Sequence, residues 1–193
     1  MTDAVREVLD FWFDPASKAR WFEPSAAFDQ AVAARLGDLH GRAAAGDLDA
    51  WQSSAEGCVA LCILLDQAPR QLFRGQVRAF ATDAKALAVA QHAIAEGFDR
   101  QLPVEQRQFL YLPLMHSEQL ADQELCVALY EGEELRHNLR HAADHAEIIR
   151  RFGRFPHRNV ALGRTSTAAE EAYLRDGGKL FGQIVPAVDA DEG

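Results

Sequence analysis

Residues 58–65 read CVALCILL, an uninterrupted apolar run with no face suited to water. A helix without a polar face belongs at the centre of a fold, packed by other elements on every side. The flanking sequence supports a helical reading. Alternation of apolar and polar residues never persists, β-branched residues are few, alanine is abundant, and helical spacing recurs from end to end.

Working outward, the first helix is expected over Asp3–Phe13, ending near Pro15. Trp12, Phe13, Trp21 and Phe22 form an aromatic corner that reads as core. Ser25 is a suitable N-cap for a helix whose apolar face holds Phe28, Val32, Leu36 and Leu39, with Gly46 just past its end. Thr82 is placed to cap DAKALAVAQHAIAE, which Gly97 stops. Pro103 fits the first turn of the next helix, which runs through Tyr111. Pro113 should kink or end that helix, because a proline pushes Leu112 away from the helical region. Helices over Ala121–Glu131 and Glu134–Phe152 follow, stopped at Gly132 and Gly153. Thr167 and Glu170 match a capping box and open a last helix to about Asp176. The expectation is one all-α domain over residues 1–182, built of antiparallel helix pairs, with 183–193 a tail. No repeat period holds across the chain.

The 193 residues are 48% hydrophobic and 25% charged, an ordinary globular composition that needs no disulfide or metal staple. A net charge of -9 argues against non-specific nucleic-acid binding. No apolar run reaches membrane-span length, and the N-terminus lacks a cationic lead and clean apolar core, so a cytoplasmic location is expected. Cys58, Cys62 and Cys126 read as reduced thiols; the first two, one turn apart, read as small core residues rather than a metal pair.

Polar residues interrupt apolar surroundings at three places. The first follows the apolar run: Asp66-Gln67-Ala68-Pro69-Arg70-Gln71-Leu72-Phe73-Arg74. Asp66 needs a cation if it is buried. Arg70 is four residues on, with Pro69 between them. Arg70 and Arg74, one turn apart, either fix the kink through carboxylates or hold an anion with their forked donors. The second follows Pro113, where His116 and Glu118 are either local caps or a proton-transfer pair. The third is the helix ending at Phe152. Leu135, Leu139, Ala142, Ala146 and Ile149 share one stripe, widened by Ile148 and Phe152, and His145 falls inside it. His145 is thus the histidine most suited to burial, and a buried imidazole needs partners. His137, His141 and His145 spread too far around the wheel for one ion, so no metal site is expected.

Residues 148–169 read IIRRFGRFPHRNVALGRTSTAA, with five arginines, one histidine and no acid. Arg150 and Arg151 suit the end of a helix. Arg154, His157, Arg158 and Asn159 lie on a tight turn anchored by Phe152 and Phe155. The helix opening near Thr165–Thr167 would present free amides to an anion.

The chain resembles a bacterial family catalogued as domain of unknown function 924. The resemblance covers roughly Val8–Tyr173 and rests on VLDFWF (8–13), LDQAPRQLFRG (65–75), RAFATDAKAL (78–87), FLYLPLMHSE (109–118), HAEIIRRFGRFPHRN (145–159) and LGRTSTAAEEAYL (162–174). The alanine of LDQAPR stands where a bulkier apolar residue is common. The resemblance implies an all-α fold of stacked antiparallel helix pairs, similar to tetratricopeptide-repeat proteins, and no established activity.

Four functional readings follow. The leading one is a pocket for a small phosphate or carboxylate held by Arg70, Arg74, Arg154, His157 and Arg158, with Asp66, His116, Glu118, His145 and Asn159 in support. The second is a protein-interaction scaffold. The third is a hydrolase or transferase using His157 or His116 as acid or base. In the fourth, the arginines and acids only hold kinked helices together. No phosphate loop, nucleophile motif or metal signature occurs, and no cofactor is expected.

Overall fold

The computed structural model describes residues 2–181, apart from the side chains of residues 133, 134 and 137. The described chain is all-α. Ten α-helices, α1 (Asp3–Trp12), α2 (Pro15–Lys18), α3 (Ala26–Ala45), α4 (Ala55–Cys62), α5 (Ala68–Leu72), α6 (Asp83–Ala95), α7 (Val104–Met115), α8 (Leu120–Tyr130), α9 (Leu139–Phe152) and α10 (Ala168–Arg175), are joined by loops, several of them short 3-10 turns. The expected tail and the side chain of His137 lie outside the described set.

The apolar run is the centre, as its composition requires. Cys58 to Leu65 are fully buried, and α4 packs against α1, α6 and α7. Each large aliphatic side chain in the run contributes about 1.5–3 kcal/mol relative to exposure. Consecutive helices then pack on one another, α6 on α7, α7 on α8 and α8 on α9. Gly57 lets α4 approach its neighbour. A Cβ there would stand 2.0 Å from the Trp51 carbonyl oxygen.

The run does not end as a plain helix. Residues Ile63–Gln67 widen into a π-helical turn, closed by the Ala68 N–H on the Ile63 carbonyl. Pro69 supplies no N–H to the turn before it. The carbonyls beneath it take side-chain donors instead: His40 Nδ1–H donates to Leu64 O at 2.8 Å and Thr82 Oγ1–H to Leu65 O at 2.5 Å. Thr82 therefore stands at the N-cap position of α6 without capping it, because its hydroxyl is used across the core.

Other expectations are corrected by packing. Pro15 opens the short α2, with Asp14 as its cap, instead of only closing α1. Pro103 is the N-cap of α7 rather than a first-turn residue. Pro113 neither ends nor breaks α7, since it sits in the last turn, where one lost N–H costs a single bond, and is buried. The helix expected over Glu134–Phe152 is divided. Glu133–Asn138 is a 3-10 turn, and Asn138 at the junction donates its amide to Gln108 Oε1 of α7 at 3.1 Å. In the aromatic corner Trp12 is fully buried, but Phe22 is 66% exposed and not core.

The three cysteines are free and buried. Burial pushes the Cys58 thiol up to about 11 and Cys126 up to about 12, so both are unreactive small apolar residues.

Candidate functional site

The π-turn carries Asp66 into the interior, where it is 1% exposed. Its carboxylate accepts from His116 Nδ1 at 2.8 and 3.0 Å and from Gln67 Nε2 at 2.5 Å. Arg70 Nη2 reaches it at 3.4 Å, so Pro69 does not prevent the i, i+4 pair. Burial alone would raise the pKa of Asp66. The His116 and Arg70 charges and the hydrogen bonds from His116 and Gln67 outweigh it and hold the group ionised, well below the usual carboxylate range.

A second carboxylate, Asp83 at the start of α6, joins the two arginine-bearing segments. Arg70 Nη2 donates to it at 2.9 Å, and Arg158 Nη1 stands 3.6 Å away. Burial raises Asp83 above its ordinary value, and neighbouring Asp66 adds to that, against the pull of the two guanidiniums. The Arg70 and Arg158 guanidiniums lie 4.8 and 5.0 Å from the centre of the Phe80 ring. Arg158 also donates to the His116 carbonyl at 3.0 Å. Burial, with Arg70 as a like-charged neighbour, pushes Arg158 down to about 10. Sequence reasoning found both arginines and missed Asp83, because a helix-start aspartate reads as a dipole partner.

Around this cluster opens a cavity of about 990 Å³, with Arg70, Arg74, His116, His145 and His157 on its wall. Arg70 and Arg74 are already partnered. Arg74 forks onto Asp29, at 3.1 and 2.8 Å. Arg70 spends its terminal nitrogens on Asp66, Asp83 and the Ala79 carbonyl. His145 donates from Nδ1 to the His141 carbonyl at 2.7 Å, and Phe181 stacks on its ring with centroids 3.6 Å apart. Burial, reinforced by the charge of His116, holds His145 well below the ordinary imidazole value.

His157 differs from the other two. It is 4% exposed, yet neither ring nitrogen has a partner among the described residues. Burial first, then Arg158, His116 and Arg70, push it down to about 3, so it stays neutral. A neutral imidazole on a cavity wall offers one donor and one acceptor. The Nε–H groups of Arg70 and Arg158 are also buried without partners among the described residues. Arg140 lines the cavity as well, exposed and with no ion pair among the described residues. Its place on the polar side of α9 gave no signal in the sequence.

The remaining predicted residues lie elsewhere. Arg154 clamps Glu170 at 2.6 and 2.7 Å and lines a separate depression with Arg151 and Phe152. Glu170, pulled down to about 2 chiefly by Arg154, also completes the capping box on Thr167 N at 2.7 Å. The helix N-terminus expected to receive an anion thus holds an internal carboxylate. Glu118 does not pair with His116. It accepts from Phe155 N at 2.8 Å and forks onto Arg164 at 2.7 and 3.0 Å. Burial pushes Glu118 up, but Arg164 and the Phe155 N–H hold it lower. Asn159, fully buried, bridges Arg164 Nε and Ser166 Oγ, both at 3.0 Å. Within the arginine-rich stretch, then, Arg154, Arg158 and Arg164 each meet a carboxylate from elsewhere in the chain. Among the described residues no three histidine, cysteine or acidic side chains cluster as metal ligands would, and no helix is long and apolar enough to cross a membrane.

Residues 8–178 match the model of a family described as bacterial protein of unknown function (DUF924). The chain is also similar to a solved structure of a protein of unknown function from Agrobacterium tumefaciens. Identity is 41%, the TM-score is 0.82, and the match covers 90% of this chain and 97% of that one. No curated protein matches the chain.

Proposed function

The chain belongs to the DUF924 family, and we propose that it binds a small carboxylate or phosphate in the cavity walled by Arg70, Arg74 and His157. One observation carries this reading: His157 is buried on the cavity wall, and neither ring nitrogen has a partner among the described residues. Leaving a buried polar group unsatisfied costs about 1–3 kcal/mol. A bound oxygen ligand supplies the missing partner and makes the cost useful. Arg154 belongs to the Glu170 clamp and has no part in this site, while Arg158 acts behind it by holding Asp83.

The test is thermal unfolding with millimolar phosphate, acetate, malonate and citrate. A ligand present at a hundredfold its Kd adds about 2.7 kcal/mol, a rise of about 5–10 °C in Tm for a chain of this size. The His157→Ala protein should lose that rise, and the Arg150→Ala protein should keep it. An unchanged Tm across the panel contradicts the proposal.

A second reading is favoured by the Asp66–His116 pair. An ionised carboxylate only accepts, so His116 Nδ1 donates to Asp66, and Nε2 is the ring nitrogen through which a proton would pass to or from a substrate. His157, held down to about 3 chiefly by burial, is a poor base near neutral pH. Catalysis would then rest on His116. In a screen of small esters and phosphate esters, His116→Gln should abolish turnover that His157→Phe retains; the reverse pattern overturns this reading.

A further inference from the structure

The cavity is far larger than inorganic phosphate needs. Its volume of about 990 Å³ falls in the range of sites that enclose a whole organic molecule, roughly 300–1,000 Å³. Its wall is also of two kinds. Besides the polar groups it holds Trp21, Phe22, Leu112 and Met115, with Phe181 packed against His145 and His157. Phe22 is a large apolar side chain left two-thirds in water, although its ring lies parallel to buried Phe109 with centroids 6.4 Å apart. Trp21 meets Phe22 edge-on at 6.2 Å. Together they present aromatic surface to the cavity instead of closing it.

Charge narrows the polar part of the ligand. Arg70 already faces Asp66 and Asp83, and Arg74 already faces Asp29. The surplus positive charge is therefore small. A dianion placed among these paired groups would add more negative charge than they can offset, whereas a monoanion suits His157 and Arg140, which have no ion pair among the described residues.

Building on the anion-binding reading above, we propose that the ligand is an aromatic carboxylate, its ring against the Trp21–Phe22 wall and its carboxylate toward the His157 end. Aromatic rings favour offset or edge-on packing on other rings, and Met115 adds a polarizable contact.

The experiment is calorimetric titration of the full chain with phenylacetate, hexanoate, 2-phenylethanol, acetate and inorganic phosphate, with tryptophan fluorescence as a second readout. Phenylacetate should bind at least about tenfold more tightly than each of the others. Phe22→Ser should weaken phenylacetate about two- to tenfold and leave acetate unchanged. Trp21→Phe should remove the fluorescence response while the heat of binding persists. Hexanoate binding as tightly as phenylacetate overturns the aromatic body. Acetate or phosphate binding as tightly overturns the ligand class and leaves anion binding standing. Phenylethanol binding as tightly overturns the charged group, and with it anion binding. No binding by any probe overturns both.

Discussion

Replacing His157 by phenylalanine should make the protein more stable. The imidazole is buried between Phe155 and Phe181, with ring centroids 5.6 and 5.7 Å away, and both of its nitrogens lack partners among the described residues. A phenyl ring of similar volume removes the unsatisfied atoms and keeps the aromatic packing. The gain is about 1–2 kcal/mol at pH 8, or about 2–8 °C in Tm. The gain should grow in acid. His157 is depressed to about 3 in the native protein, against an ordinary value near 6.5. As pH falls below 6.5 the unfolded chain takes up a proton that the native chain refuses, so wild-type stability declines. Between pH 8 and pH 5 this amounts to roughly 2 kcal/mol at about 1.4 kcal/mol per unit. Phenylalanine has no proton to take, so the gap between variant and wild type widens by that amount. Urea unfolding at both pH values measures it. A variant less stable than wild type by more than about 1 kcal/mol at pH 8, or one with an unchanged gap at pH 5, refutes the reasoning, because His157 would then be partnered and charged.

Three further outcomes follow from the same geometry. Thr82→Val leaves the Leu65 carbonyl under Pro69 without a donor and should cost about 1–3 kcal/mol in chemical denaturation; a loss near zero would show that water replaces the hydroxyl. Gly57→Ala places a methyl group against the backbone of Trp51, and a loss of at least about 2–3 kcal/mol is expected, read as a lowered Tm. Glu170→Gln removes the clamp on Arg154 and weakens the capping box, costing about 2 kcal/mol at pH 7. Because the native carboxylate is held down to about 2, its stabilisation is complete above about pH 4.5 and fades below it, so the two proteins should converge near pH 2.

The core was legible in the sequence because composition alone determines it. CVALCILL has no polar face, and every residue in it is buried. The capping box at Thr167 and the burial of His145 were equally readable, since both depend on local spacing. What escaped were arrangements that depend on distant partners. Thr82 has the identity and position of a cap, but Leu65 offers a carbonyl that Pro69 has left open. Arg154 and Arg158 look alike on their turn. Glu170 takes one outward and Asp83 holds the other in the interior. His116 and Glu118, two residues apart, face different segments, one toward Asp66 and the other toward Arg164. The spacing of charges along the chain says which groups are cationic, and only the fold says which carboxylate reaches each one first.

An anion held in the cavity beside His157 must perturb the ring nitrogens of that residue. Nitrogen-15 spectra of the imidazole rings, recorded while phenylacetate is titrated into the protein, test it most directly. The His157 resonances should shift and saturate, with those of exposed His92 unmoved. Unchanged His157 resonances at saturating phenylacetate, acetate and phosphate would contradict the account.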